Sequence, residues 1–219
     1  MTTRLPFLNS LLLALAIAFV PLAEAQEVID VALITSLQGN VGRVTPQGRQ
    51  PLQAFVKLKR GDVLALGDAR LQIVYFENGR QETWQGSGRL EIAAGESTAS
   101  GLPSPAVKTL PAVMVRQIAR TPALESQGRA GVVRLRSLAT PDAIEKLEES
   151  YRRMRMETVR SDLSPELYLL SGLFEMRELD RVEQVLRDLQ LTRPGDVEVG
   201  LMAALYQKAL RNARENHAH

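Results

Sequence analysis

The sequence predicts an α+β multidomain protein, in which an antiparallel, β-rich N-terminal domain (a sandwich or a roll) is followed by a C-terminal helical hairpin bundle. Two observations predict this fold class. Between residues 26 and 99, apolar and polar residues alternate in short runs that turn residues separate. After residue 141, apolar residues recur every three or four positions, which is the spacing of amphipathic helices.

The composition argues against most catalytic chemistry. The 219 residues contain no cysteine and only two histidines, His217 and His219. Disulfides, thiol nucleophiles and cysteine-zinc sites are therefore excluded, and a histidine-based triad or metal site has almost nothing to be built from. The hydrophobic content of 45% is enough for a sizeable core. We expect a binding or scaffold protein, not an enzyme, with no cofactor and no bound metal.

An export signal is predicted over residues 1–25. Arg4 precedes an apolar run at residues 11–20, and Ala23-Glu24-Ala25 follows it. A basic start, a short apolar core and an A-x-A site are the features of a secretory signal peptide. The run is shorter than the roughly 20 residues that span a bilayer. We expect cleavage before Gln26 and a periplasmic protein with no transmembrane anchor after cleavage; retention of the segment as an anchor is the alternative.

Residues 26–99 are predicted to form the β domain. Its alternating runs are separated by glycine and aspartate turns, one of them at Gly67-Asp68. Asn78-Gly79 is the strongest turn signal, because a two-residue type I′ turn needs positive φ at both central positions. Such a turn would place Ile73 directly opposite Trp84, so we expect these two side chains to be in contact.

The order of motifs in this domain resembles that of the FecR domain family, which is named for the periplasmic part of the ferric-citrate signalling regulator. The resemblance covers roughly residues 31–95 and implies an extracytoplasmic, β-rich interaction domain with no catalytic residues. The motifs that carry it are Gly61-Asp62-Val63-Leu64, Gly67-Asp68-Ala69-Arg70-Leu71, Phe76-Glu77-Asn78-Gly79 and Gly88-Arg89-Leu90-Glu91-Ile92.

Residues 100–141 are predicted to be a proline-rich, basic connector. Five of the eleven prolines lie there, and proline lacks the backbone donor that helices and central strands need. We therefore expect irregular or edge-like structure. Six basic residues against one acidic residue give the connector a net charge of +5. The alternating segment Val133-Arg134-Leu135-Arg136 is a candidate strand that returns to the sheet.

The arginines of the connector have two interpretations. Arg116, Arg120, Arg134 and Arg136 are candidates for binding an anionic envelope polymer or lipid headgroups. The favoured alternative is that they lie in a solvated linker or pair with acidic side chains of the C-terminal region. The net charge of the whole chain is only +2, so we expect no nucleic-acid partner.

Four helices are predicted in residues 142–219. Thr140-Pro141-Asp142 opens the first and Ser164-Pro165-Glu166 the second, each with a hydroxyl cap followed by a proline. The third is expected to cover about residues 179–189, and Pro194-Gly195-Asp196 separates it from the fourth.

The second and third helices, followed by Pro194, resemble a tetratricopeptide hairpin. Only about one and a half units fit, whereas stable arrays usually need about three. We therefore expect a degenerate, tetratricopeptide-like repeat that docks on the β domain or on a second subunit, and whose role is to bind partner proteins. Its packing positions fall on Leu169, Leu173, Val182, Leu186 and Leu189.

Together these features predict a periplasmic protein-interaction or sensory module that binds an envelope protein, as a signalling component does. The alternative is a protein that binds peptidoglycan or another anionic envelope polymer. That alternative rests on the basic connector and on Trp84, the single tryptophan, which is a candidate for stacking on a sugar ring. Packing of Trp84 within the sheet is the other interpretation, and its place in an alternating strand favours it.

Overall fold

The structure is a computed structural model that describes residues 29–122 and 140–215. A seven-stranded antiparallel sheet precedes a helical region, which confirms the predicted α+β fold class. The strands are β1 (Asp30–Thr45), β2 (Gly48–Pro51), β3 (Lys57–Lys59), β4 (Val63–Tyr75), β5 (Arg80–Ile92), β6 (Ser97–Ser100) and β7 (Ala106–Thr109). The helices are α1 (Ala112–Ala119), α2 (Pro141–Glu157), α3 (Ser164–Glu175), α4 (Leu179–Thr192) and α5 (Val197–Glu215).

The long strands β1, β4 and β5 each contribute to two halves of the sheet. β3 and β7 pair with one half, and β2 and β6 pair with the other. Register shifts mark the boundary between the halves in β1 and β4. At this boundary Gly39 has a φ of 89°, and a Cβ there would lie 2.7 Å from the carbonyl oxygen of Asp68, so the close approach requires glycine. The turn predicted at Gly67-Asp68 is wrong, because these residues form an irregularity inside β4.

One apolar core lies inside the folded sheet. Ile34 and Trp84 come from one half of the sheet, and Val41, Leu64 and Leu90 come from the other, yet all five belong to the same buried cluster. A sheet that closes over its own core is a roll, which is one of the two architectures that the sequence predicts.

The loop between β4 and β5 is longer than predicted. It spans residues 76–79, and only Gly79 has a positive φ, so the two-residue type I′ turn at Asn78-Gly79 is wrong. The Asn78 side chain holds the loop, because its Oδ1 accepts a hydrogen bond from the Arg80 backbone N–H at 2.9 Å. Such a local bond lets asparagine stabilise a turn without adopting positive φ.

The longer loop changes the strand register by two residues. Ile73 lies opposite Glu82, and Trp84 lies opposite Leu71. Because the shift is an even number, Ile73 and Trp84 remain on the same face of the sheet and in the same core. The prediction that they are direct cross-strand partners is wrong, and they are diagonal neighbours.

The proline-rich segment contains an edge strand and a helix. β7 pairs with β5, and α1 begins directly after Pro111. Edge strands and helix N-termini are the positions where proline is tolerated, so the prolines bound these elements without preventing them. The expectation of irregular structure therefore does not hold for α1. The candidate strand at residues 133–136 lies outside the described residues.

The four helices predicted for the C-terminal region are present as α2–α5. α2 begins at Pro141 and α3 at Ser164, as predicted, but neither helix has a side-chain hydrogen bond at its cap. Because no side chain caps either helix, the local feature that favours each helix start is the fixed φ of the proline in its first turn. All five predicted packing positions of the second and third helices are buried: Leu169, Leu173, Val182, Leu186 and Leu189.

α2 and α3 cross at a glycine. A Cβ on Gly172 would lie 2.5 Å from Cδ1 of Leu147, so the two helices approach closely enough that any side chain there would displace the leucine. Gly172 is therefore the small residue of a tight helix–helix contact, a role that the helical spacing of the sequence does not reveal.

The helices dock on the outside of the roll. Leu33 and Val74 project from the face opposite to the inner core, and they belong to one buried cluster with residues of all five helices. α1 contacts both β1 and α3, so it lies between the sheet and the helical region. The Nζ of Lys57 on β3 donates to the carbonyl oxygen of Ala119 at the end of α1, at 3.0 Å. The helices therefore dock on the β domain, which is one of the two expected docking partners.

A buried carboxylate links α5 to β1. Glu198 is 9% exposed, and its Oε1 accepts hydrogen bonds from the Ser36 hydroxyl at 2.7 Å and from the Leu37 backbone N–H at 2.8 Å. Burial raises the pKa of Glu198 above its ordinary value of 4.5, although both hydrogen bonds oppose this shift.

Glu198 is expected to make stability depend on pH. Because its pKa is higher in the folded state, the folded protein binds the proton more readily, and this contribution to stability is lost as pH rises from about 4.5 through the folded-state pKa. Glu198→Gln keeps an acceptor oxygen but does not ionise. Urea unfolding between pH 4 and 7 should show the stability of the variant, relative to wild type, increasing with pH. Parallel pH profiles would contradict the assignment.

Candidate functional site

Trp84 lies in the inner core and has no face open to a ligand. Trp84 is only 3% exposed, and its indole Nε1–H donates a hydrogen bond to Oε2 of Glu82 at 2.9 Å. The candidate role in stacking on a sugar ring is therefore corrected: the indole packs within the sheet, which was the other interpretation.

Glu82 is the polar centre of that core. It is fully buried, and its Oε1 accepts hydrogen bonds from Nε of Arg80 at 2.7 Å and from the Ser97 backbone N–H at 3.3 Å. With Trp84, three donors from β5 and β6 converge on one carboxylate. This arrangement satisfies both carboxylate oxygens, so it stabilises the fold and offers nothing to a ligand.

The connector arginines do not form a common site within the described residues. Arg120 pairs with Glu175 at the end of α3, as the interpretation of intramolecular pairing predicted. Arg116 is exposed on α1. Arg134 and Arg136 lie outside the described residues.

The structure instead forms a groove on the outer face of the sheet. Its volume is about 240 Å³, and it lies between strands β1, β4, β5 and β7 and the loop that joins α2 to α3. We call it the polar groove. It is lined by Ser36, Gln38, Arg70, Gln72, Gln81, Thr83, Ala106, Val107, Lys108, Val159, Ser161 and Asp162.

The strand register sets the floor of the polar groove. Gln72 pairs with Ser36 on one side and with Thr83 on the other, so three polar side chains form a row across β1, β4 and β5. Gln81 lies in the next row, where it pairs with Val74 of β4 and with Lys108 of β7. Directly paired residues of antiparallel strands share a face, so the rows are continuous.

Gln81 is a groove residue whose side-chain amide is both buried and unpaired. It is 1% exposed, and neither Oε1 nor Nε2 of its amide has a hydrogen-bond partner in the described part of the chain. Buried amides are nearly always paired, because an unpaired polar group loses its contacts with water and gains nothing in return. Gln81 lines the groove, and its amide has one acceptor and two donors that no described residue uses.

Two cationic side chains line the groove, and one of them is paired with a carboxylate. Nζ of Lys108 pairs with Oδ2 of Asp162 at 3.0 Å, which neutralises both groups. Arg70 is exposed on β4 and makes no ion pair with any residue in 29–122 or 140–215. The groove therefore carries one net positive charge, at the Arg70 guanidinium.

The chemistry of this site is that of recognition by hydrogen bonds and charge. Amides, hydroxyls and one guanidinium can orient a polar ligand, but nothing in the groove is arranged as a nucleophile beside a base. The described residues also contain no group of three or more His, Cys, Asp or Glu side chains that could hold a metal ion.

The polar groove is not visible in the sequence pattern, because its residues occupy the polar positions of alternating strands. Ser36, Gln38, Arg70, Gln72 and Thr83 have the spacing of a solvated sheet face.

The fold and the site thus define a roll with a docked helical region and the polar groove between them. The chain matches no protein-family model, no curated protein and no solved structure. Among the helices of residues 29–122 and 140–215, none is both long enough and apolar enough to cross a membrane.

Proposed function

We propose that the protein is an exported, non-enzymatic binding module of the cell envelope, and that the polar groove holds part of its partner protein. The observation that carries the proposal is the buried amide of Gln81, a residue that lines the groove and whose amide has no partner in the described residues. Leaving such a group unpaired costs about 1–3 kcal/mol of stability. A bound partner would supply the missing hydrogen bonds and offset this cost.

The cellular setting is supported by two features of the sequence. The predicted signal peptide at residues 1–25 favours export to the periplasm, and the FecR-like order of motifs favours an extracytoplasmic interaction domain. The sheet and the α2–α3 loop both contribute to the groove, so a partner bound there would contact both parts of the protein.

The proposal is tested with a photo-cross-linking amino acid in the full chain in living cells. Gln38 lines the groove and Gln50 lies on β2 outside it; both are exposed glutamines in strands of the same sheet. We expect a discrete adduct with an envelope protein from position 38 and none from position 50. Equal adducts from both positions, or none from either, would contradict the proposal. An adduct with the sacculus would favour the alternative of a polymer-binding protein.

A second readout separates a ligand site from a structural role. Gln81→Met keeps a similar volume and removes the unpaired amide, so we expect it to raise the free energy of unfolding by about 1–2 kcal/mol and to weaken the adduct. Gln72→Met is the matched control, since that amide is only partly buried and its removal should change stability little. A Gln81→Met variant that is less stable than wild type would show that the amide serves the fold.

A further inference from the structure

We propose that the ligand of the polar groove is an extended L-peptide segment that carries a carboxylate. This inference rests on the proposed function, because it names the chemical class that the same groove binds. It follows from the hydrogen-bonding capacity of Gln81, the charge of Arg70, the distance between them and the chemistry of the remaining walls.

Gln81 requires a ligand that both donates and accepts hydrogen bonds. A primary amide is satisfied by a group that offers a carbonyl oxygen to its N–H and an N–H to its oxygen. In an extended chain the N–H and the C=O of one residue point to the same side, so a single residue of a strand can donate to the amide oxygen and accept from the amide N–H. The half-buried Gln72 and Thr83 side chains lie next to Gln81 on the same face and extend this hydrogen-bonding surface.

Arg70 offers a binding point for an anion. Lys108 is already neutralised by Asp162, so the Arg70 guanidinium is the groove's uncompensated charge among the described residues. A guanidinium binds a carboxylate through two parallel hydrogen bonds, which are stronger than those between neutral groups.

The distance between the two groups fits an extended chain. Gln81 faces Val74, and Arg70 lies four residues before Val74 on the same strand and the same face. Four residues of strand span about 13 Å, so a ligand that contacts both groups contains about three to four extended residues.

The other walls favour a peptide over a glycan. None of the described residues that line the groove is aromatic, so no ring is available to stack on a sugar. Ala106 and Val159 instead provide a small apolar surface that suits short aliphatic side chains.

The test uses the full-length chain, labelled with ¹⁵N, and synthetic peptides at millimolar concentration. Acetyl-Ala-Ala-Ala with a free terminal carboxylate is compared with the same peptide amidated at its C-terminus. Acetyl-Ala-Glu-Ala amide tests whether a side-chain carboxylate serves as well as a terminal one. We expect the amide-proton signals of the Gln81 side chain to shift, and the carboxylate peptides to bind about tenfold more tightly than the neutral one.

Two substitutions test whether Arg70 causes the preference for carboxylate peptides. Arg70→Ala should abolish the preference for a carboxylate, whereas Arg89→Ala, which removes an exposed arginine from the other half of β5, should leave it unchanged. Gln81→Met should weaken the carboxylate and amidated peptides alike.

Equal binding of the charged and neutral peptides, no binding of any of them, or an unchanged preference in Arg70→Ala would overturn the inference. Preferential binding of acetyl-Ala-D-Ala-D-Ala would overturn it too, because the ligand would then be the stem peptide of the cell wall. The first three results leave a position-specific protein adduct at residue 38 unaffected, so the ligand class and the proposed function fail separately.

Discussion

Glu82→Ala is expected to lower the free energy of unfolding by about 3–5 kcal/mol. The substitution leaves the Trp84 Nε1–H and the Ser97 backbone N–H without their acceptor, in a core from which water is excluded. It also opens a cavity opposite Ile73. Because natural domains are stable by only about 5–15 kcal/mol, this loss would be a large part of the total.

Glu96→Ala is the matched control for this prediction. Glu96 also faces Arg80, at 4.0 Å, but its side chain is 67% exposed. Exposed ion pairs contribute little, so we expect a change within about 0.5 kcal/mol. Guanidinium unfolding of the two variants, monitored by Trp84 fluorescence, measures the difference. Equal losses would show that the three hydrogen bonds on Glu82 add nothing beyond an ordinary surface pair.

Gly79→Ala is expected to lower the free energy of unfolding by about 3–4 kcal/mol, through two separable costs. The residue has a φ of 71°, a conformation that costs a residue with a Cβ about 1–2 kcal/mol. The new Cβ would also lie 2.7 Å from the carbonyl oxygen of Leu110 and 3.0 Å from Cγ2 of Val115. Since backbone cannot rotate aside as a side chain does, the start of α1 would have to move.

Gly61→Ala isolates the conformational cost. Gly61 has a φ of 85°, and a Cβ there would meet nothing within 4 Å, so only the cost of positive φ applies. We expect Gly79→Ala to be more destabilising than Gly61→Ala by about 2 kcal/mol, measured by urea unfolding of both variants. Equal losses would mean that the contact between the β4–β5 loop and α1 does not constrain the docking of α1.

Local signals in the sequence predicted the elements whose causes are local. Pro141 and Ser164-Pro165 marked the starts of two helices, because proline at a first turn fixes φ whatever the rest of the chain does. The alternation of residues 26–99 predicted strands because one face of each long strand, β1, β4 and β5, is buried in the roll. The helical packing positions, such as Val182 and Leu186, were predictable for the same reason.

Strand register was not predictable to the residue. Asn78-Gly79 carries the dipeptide of a two-residue turn, yet the Asn78 side chain stabilises a longer loop. The bonds that decide between these loops include one from Nδ2 of Asn78 to the carbonyl oxygen of Gly95, a contact that forms only when the sheet is folded. Trp84 was placed on the correct face, but opposite the wrong residue.

The sequence by itself determined the fold class, the start of the helical region and the absence of cysteine-based chemistry. These properties depend on composition and on contacts between near neighbours. Only the tertiary structure decided where the candidate site lies. Ser36, Gln72 and Thr83 become a row through strand pairing, and Gln81 becomes buried only when β7 and the helical region cover that face. A polar side chain in an alternating strand has the same pattern whether it faces solvent or a covered groove, because burial is set by what packs against it and not by its position in the chain.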